Sequence, residues 1–104
     1  MKNGLYSVSF NTPVGAGNGV IVANDGQFRG GDSALYYTGE YTVNGDAVSI
    51  VLSTGRHANN GMGSVFGADS VNVNLTGQSK GDTVQVNGSH GPIKFSATLK
   101  FICN

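Results

Sequence analysis

The sequence predicts an all-β protein, an antiparallel up-and-down barrel of about eight strands in a single domain covering residues 1–104. Three observations carry this expectation. Apolar and polar residues alternate in short runs, most regularly from Ile93 to Cys103, and period two marks a strand with one buried face. Turn residues bound every run, and no window shows helical periodicity. Seventeen glycines are too many for helices but suit tight turns, bulges and the bends by which a sheet curls shut.

The elements follow in order. Leu5 to Phe10 alternates Tyr6, Val8 and Phe10 with serines, and Pro13 and the run Gly15-Ala16-Gly17-Asn18-Gly19 interrupt it. Val20-Ile21-Val22 forms a second strand whose inward face is unassigned. Asp25-Gly26 supplies the positive backbone dihedrals of a two-residue hairpin, and Gln27-Phe28-Arg29 continues beyond it. Leu35 to Val43 sets Tyr37, Gly39 and Tyr41 on one face against Tyr36, Thr38, Glu40 and Thr42 on the other. Asn44-Gly45 turns the chain into Ala47 to Ser53, with Val48, Ile50 and Leu52 inward, so these two strands pair.

Thr54 to Gly67 is the longest irregular stretch and holds Arg56, His57, Asn59, Asn60, Met62, Val65 and Phe66. Alternation returns from Ser70 to Gln78 (Val71, Val73 and Leu75 on one side) and from Thr83 to Asn87 (Val84 and Val86 inward). In the last strand Ile93, Phe95, Ala97, Leu99, Phe101 and Cys103 share a row, which Ile102 alone breaks by standing among the polar positions. Short sequential connections favour a meander, and eight strands suffice to close it, the last pairing the first. A flatter two-sheet sandwich is the alternative. The inward residues are mid-sized and aromatic, which predicts a filled or nearly filled interior.

Composition narrows the function classes. A chain of 104 residues can bury roughly 65% of its unfolded surface, enough for a core without disulfide or metal. Six basic and six acidic residues balance, and the lysines and arginines are scattered singly. No basic stripe exists to displace counterions from phosphates, so direct nucleic-acid binding is not expected. No apolar run approaches the ~20 residues of a membrane-spanning helix. Strand-like sequence by Leu5 leaves no room for a secretion leader, and the single cysteine cannot bridge internally. Both predict a reducing, cytoplasmic setting. The triplets Asn74-Leu75-Thr76 and Asn87-Gly88-Ser89 are then accidental matches to a glycosylation signal.

Chemical motifs are weak. Gly15-x-Gly17-x-Gly19 lacks the following helix whose N-terminus would hold a phosphate, and 77–81 lacks P-loop spacing. His57 and His90 are solitary, without a second ligand at metal-site spacing. An enzyme reading would join His57 to Asp32 or Asp69, but no serine is singled out as nucleophile. We therefore expect no catalysis, no metal and no cofactor. Gly30-Gly31-Asp32-Ser33 reads as a turn that Asp32 fixes by accepting amides two residues on. Asp32 also stands as a rim residue for a partner, with the exposed ring of Tyr36 and with Arg56 in its loop. A small-molecule carrier is the alternative function, using inward Tyr6, Phe10, Tyr37, Tyr41, Phe95 and Phe101 around the barrel interior.

The first forty residues resemble the family of GrlR-like negative regulators of type III secretion. The resemblance rests on Asn3-Gly4-Leu5-Tyr6-Ser7 with Phe10, on Gly15 and Gly17 before an apolar strand, and on Asp25-Gly26. It continues through Gly30-Gly31-Asp32 and Tyr37-x-Gly39. It implies a small lipocalin-like barrel, a cytoplasmic homodimer, and transcription regulation by binding an activator protein rather than DNA. Where that family carries an exposed Glu-Asp-Glu-Asp run, this chain has Val43-Asn44-Gly45-Asp46. Asp46 alone therefore holds the partner-binding position the resemblance implies there.

Overall fold

The structure is a computed structural model that describes residues 1–61, 63 and 69–104; the apolar loop positions Met62, Val65 and Phe66 lie outside the described residues. Its strands are β1 (Gly4–Thr12), β2 (Gly15–Asn24), β3 (Gln27–Gly31), β4 (Leu35–Asn44), β5 (Ala47–Arg56), β6 (Asn72–Lys80), β7 (Thr83–His90) and β8 (Ile93–Cys103). They close in sequence order into an antiparallel barrel, β8 returning to pair with β1. The closed barrel, not the sandwich, is the arrangement observed, and β4 and β5 pair along their whole length.

Alternation translates directly into inside and outside. Tyr6, Val8 and Phe10 of β1, Val48, Ile50 and Leu52 of β5, and Phe95, Ala97 and Leu99 of β8 are all buried, with their chain neighbours facing out. On β2 the inward residues are Ile21 and Ala23, leaving Val20 and Val22 exposed. Each large apolar side chain so enclosed contributes about 1.5–3 kcal/mol relative to exposure, opposed by the chain entropy lost on folding. The hairpins follow from local chemistry. Asp25 (φ 51°) and Gly26 (φ 87°) are both left-handed, as a two-residue Asp-Gly turn requires, and Gly45, Gly81 and Gly91 each open their turns at φ of 60–63°.

Several strand ends differ from the sequence expectation, and β2 and β8 differ in pairing and phase. β2 begins at Gly15, not Val20, because its glycines pair with β1 (Phe10 opposite Gly17, Val8 opposite Gly19) and the ladder outweighs poor strand propensity. On β8 the apolar row does not reach Cys103. The register slips between Leu5 and Tyr6, which pair with Cys103 and Phe101, so Ile102 is an extra residue on the β8 side. Phe101 is half-buried, and both Ile102 and Cys103 are exposed.

The barrel has two unlike ends. One, the hairpin rim, carries the turns at Asp25-Gly26, Gly45-Asp46 and Gly81-Asp82, and the N-terminal residues cross it. Asn3 exchanges two hydrogen bonds with Asp25, Lys2 Nζ lies 2.8 Å from Asp82 and 4.0 Å above the Phe101 ring, and Met1 packs on the core. The other, the loop rim, carries the β3–β4 and β5–β6 connections. No helix among the described residues is long and apolar enough to cross a membrane. The strands present mostly polar residues outward and apolar ones inward, the reverse of barrels that sit in lipid.

Candidate interaction rim

The loop rim is organised by one carboxylate. β3 ends at Gly31 and the chain must reverse into β4 within three residues. Asp32 Oδ1 accepts the amides of Ala34 (2.8 Å) and Leu35 (2.7 Å), the Asp32 amide donates to the Leu35 carbonyl (2.9 Å), and Oδ2 receives the Tyr37 hydroxyl. This is the turn the sequence predicts, with an added bond to an inward tyrosine. Burial pushes the Asp32 carboxyl up, but the bonds from Leu35, Tyr37 and Ala34 outweigh it and hold the group below the usual carboxylate range. The Tyr37 phenol is pushed far above its usual range, first by burial and then by its bond to Asp32.

The chain leaving β5 straps this turn from outside. The His57 and Ala58 amides donate to the Ala34 carbonyl (3.0 and 3.4 Å), His57 Nε2 lies 2.8 Å from the Asp32 carbonyl, and Asn60 Nδ2 donates to the Ser33 carbonyl at 2.7 Å. His57 thus meets Asp32 at its backbone oxygen, while the carboxylate is committed to the turn. Asp69 is engaged elsewhere: its carboxylate accepts Arg56 Nη2 at 2.8 Å, and that bond draws the Asp69 carboxyl down and raises the Arg56 guanidinium. Arg56 also donates to the Ala58 carbonyl at 3.0 Å. It closes β5 rather than standing in the irregular loop where the sequence places it, because the strand pairs three residues further with β4.

Thr54, the one buried polar residue among the described residues, ties both ends of the long connection. Its hydroxyl donates to the Asp69 carbonyl (2.8 Å) and accepts the Val71 amide (3.1 Å). Sequence reading missed it, although its inward position follows from extending the row Val48, Ile50, Leu52 by one step. Tyr36 is 46% exposed, and its ring lies against Gly55: a Cβ at Gly55 would sit 2.3 Å from Tyr36 Cζ and Oη. The glycine makes room for the ring on the outer wall.

Of the four partner-binding residues, the structure brings Asp32, Tyr36 and Arg56 to the loop rim and sets Asp46 apart. Asp46 precedes the first residue of β5 and Arg56 is its last, so about 30 Å of strand separates them. Asp32 is moreover consumed by its turn, and Arg56, on the row of Leu35 and Thr54, is bonded to Asp69 and Ala58, which leaves Tyr36 as the outward group of the three.

The six interior candidates do not form one chamber. Phe10, Tyr37 and Tyr41 line a cavity of about 20 Å³ that Met1 helps to close, and Phe10 meets Tyr37 edge-on at 5.2 Å. Tyr6 and Phe101 pack edge-on at 5.4 Å by the hairpin rim, where the Tyr6 hydroxyl donates to the Lys2 carbonyl at 2.7 Å. Phe95 is buried in β8 outside the cavity lining. Among the described residues no group of three His, Cys, Asp or Glu side chains is placed to hold a metal ion. No family model matches the chain, and no curated protein matches its sequence.

Proposed function

We propose that this protein is a non-enzymatic barrel that works by binding another protein at its outer surface. The observation that carries the reading is the filled interior. A cavity of about 20 Å³ is far below the ~300 Å³ at which small-molecule sites begin, so what this fold offers other molecules is its exterior. The half-exposed Tyr36, lying against Gly55, supplies an outward aromatic ring of the kind enriched at interfaces. The likeness of residues 1–40 to GrlR-like regulators supports a finer version: a cytoplasmic homodimer that restrains a transcriptional activator, with Asp46 contributing at the far rim.

Affinity capture from the native cell tests the reading. A protein retained by the wild type and lost from both Tyr36→Ala and Arg56→Ala is the expected result, and a transcriptional activator among the retained proteins supports the finer version. Equal retention by wild type and both variants counts against this rim. Sedimentation showing a monomer at micromolar concentration removes the dimer. Native mass spectrometry of the freshly purified chain checks the carrier alternative, which requires a co-purifying ligand.

A further inference from the structure

The barrel is closed, yet β2 outruns its neighbour. It pairs with β1 from Gly15 to Ala23, but with β3 only from Val20, which faces Gly31. Hydrogen-bonded and non-hydrogen-bonded pairs alternate along an antiparallel ladder, and a two-residue turn closes on a bonded pair. From the Thr12–Gly15 pair, this alternation points the backbone groups of Gly15, Gly17 and Gly19 toward β1. Those of Ala16 and Asn18 face away, where β3 is missing. The turn at Asn24–Gln27 gives the same phase, since it aims Val20, Val22 and Asn24 at β3. Ala16 and Asn18 are both exposed, and among the described residues no backbone group or side chain takes their amides or carbonyls.

Among the described residues nothing guards this edge. Proteins blunt open strands with charges, prolines or bulges, and none occurs from Gly15 to Gly19; Pro13 lies in the turn beyond. The loop that leaves β3 is tied the other way, through the bonds of Ala34 and Ser33 to the chain after β5. Val20 and Tyr36, each 46% exposed, flank the side-chain-free Gly31 at the end of the gap and offer apolar contact to the outer face of an arriving strand.

We infer that the edge at Ala16 and Asn18 takes an extended segment of a partner protein as an added β-strand. The inference rests on the protein-binding reading and gives it a mode: main-chain hydrogen bonds supply affinity, and the Val20–Tyr36 wall supplies selectivity. An unstructured segment of a partner fits better than a second copy. Two copies paired edge to edge would share about five residues a side, against the 20–30 a side of a stable interface.

Amide hydrogen exchange decides the matter, with a capped hexapeptide of alternating threonine and valine as probe. In the free protein the amides of Ala16 and Asn18 exchange fast while those of Gly17 and Gly19 are protected. The peptide at millimolar concentration protects Ala16 and Asn18, and the same peptide N-methylated at alternate residues does not. Ala16→Pro removes one donor without touching the β1 ladder and weakens the peptide roughly tenfold. Ala16→Lys does the same with no backbone constraint, should the proline disturb folding.

Protection of both amides in the dilute free protein, or peptide-induced protection elsewhere or nowhere, overturns the edge. Protection that grows with protein concentration alone assigns it to a second copy and also overturns the proposal. A cellular partner held equally by wild type and both Ala16 variants overturns the edge yet leaves protein binding standing. Failure to recover any partner counts against protein binding, while the peptide result still decides the edge.

Discussion

The hydroxyl of Tyr37, on a side chain wholly enclosed by the barrel, donates to the carboxylate of Asp32 at the rim. One bond thereby ties the interior to the β3–β4 turn, and the other carboxylate oxygen holds two amides of that turn. Asp32→Ala leaves these donors without their acceptor. It should cost about 2–3 kcal/mol and lower the Tm by roughly 10 °C or more. Tyr37→Phe keeps the ring and both amide bonds, so its loss should be nearer 1 kcal/mol. Chemical denaturation of both variants checks the order, and an Asp32→Ala protein as stable as Tyr37→Phe would show that the turn stands without its acceptor.

The same carboxylate predicts an acid limb in stability. Its folded-state pKa is depressed below the ordinary value near 4, so its contribution is complete above that value. As the pH falls below about 4 the unfolded chain takes up the proton first, and the contribution declines until the folded-state pKa is passed. Asp32→Asn should therefore be less stable than wild type at neutral pH and flatter below pH 4. Urea midpoints measured across that range give the comparison. Parallel acid limbs in the two proteins would place the acid sensitivity at other carboxyls.

The barrel was legible because period two and turn chemistry agree at nearly every step, from Tyr6-x-Val8-x-Phe10 to the Asp25-Gly26 hairpin. The rim was half legible. Counting outward from the Asn44–Ala47 pair puts Leu35 opposite Arg56 and so brings His57 to Ala34, which sets the strap over the Asp32 turn. That the imidazole lies by a carbonyl rather than a carboxylate, and that Tyr36 lies on Gly55, depend on side-chain rotamers that no pattern encodes. The separation of Asp46 from Arg56 was, by contrast, implicit in the length of β5.

The Tyr36–Gly55 contact separates position from chemistry at the proposed interface. Gly55→Ala would drive its Cβ into the Tyr36 ring, and the three atoms nearest that Cβ all belong to this one exposed side chain. The ring swings off the wall at a stability cost of about 1 kcal/mol. If the held ring is what the partner reads, Gly55→Ala should weaken capture about as much as Tyr36→Ala does. Near-ultraviolet dichroism reports the displaced ring. Full binding with a displaced ring would show that Tyr36 is a bystander.

Cys103 gives the sharpest check on the register of the closing strands. An unbroken alternation from Ile93 would turn its thiol inward beside Phe101, whereas the extra residue at Ile102 leaves it exposed. An inward thiol reacts with an aromatic disulfide reagent only as fast as the barrel opens; an exposed one reacts with the native protein at a rate that does not track stability. We expect one equivalent to react without denaturant, at a rate unchanged by Asp32→Ala. Deleting Ile102 removes the extra residue but leaves the cysteine opposite the outward Leu5, so the thiol should stay exposed and react as fast. A wild-type thiol that reacts only as fast as the barrel opens would mean that the alternation runs unbroken to Cys103 and that no bulge turns it out.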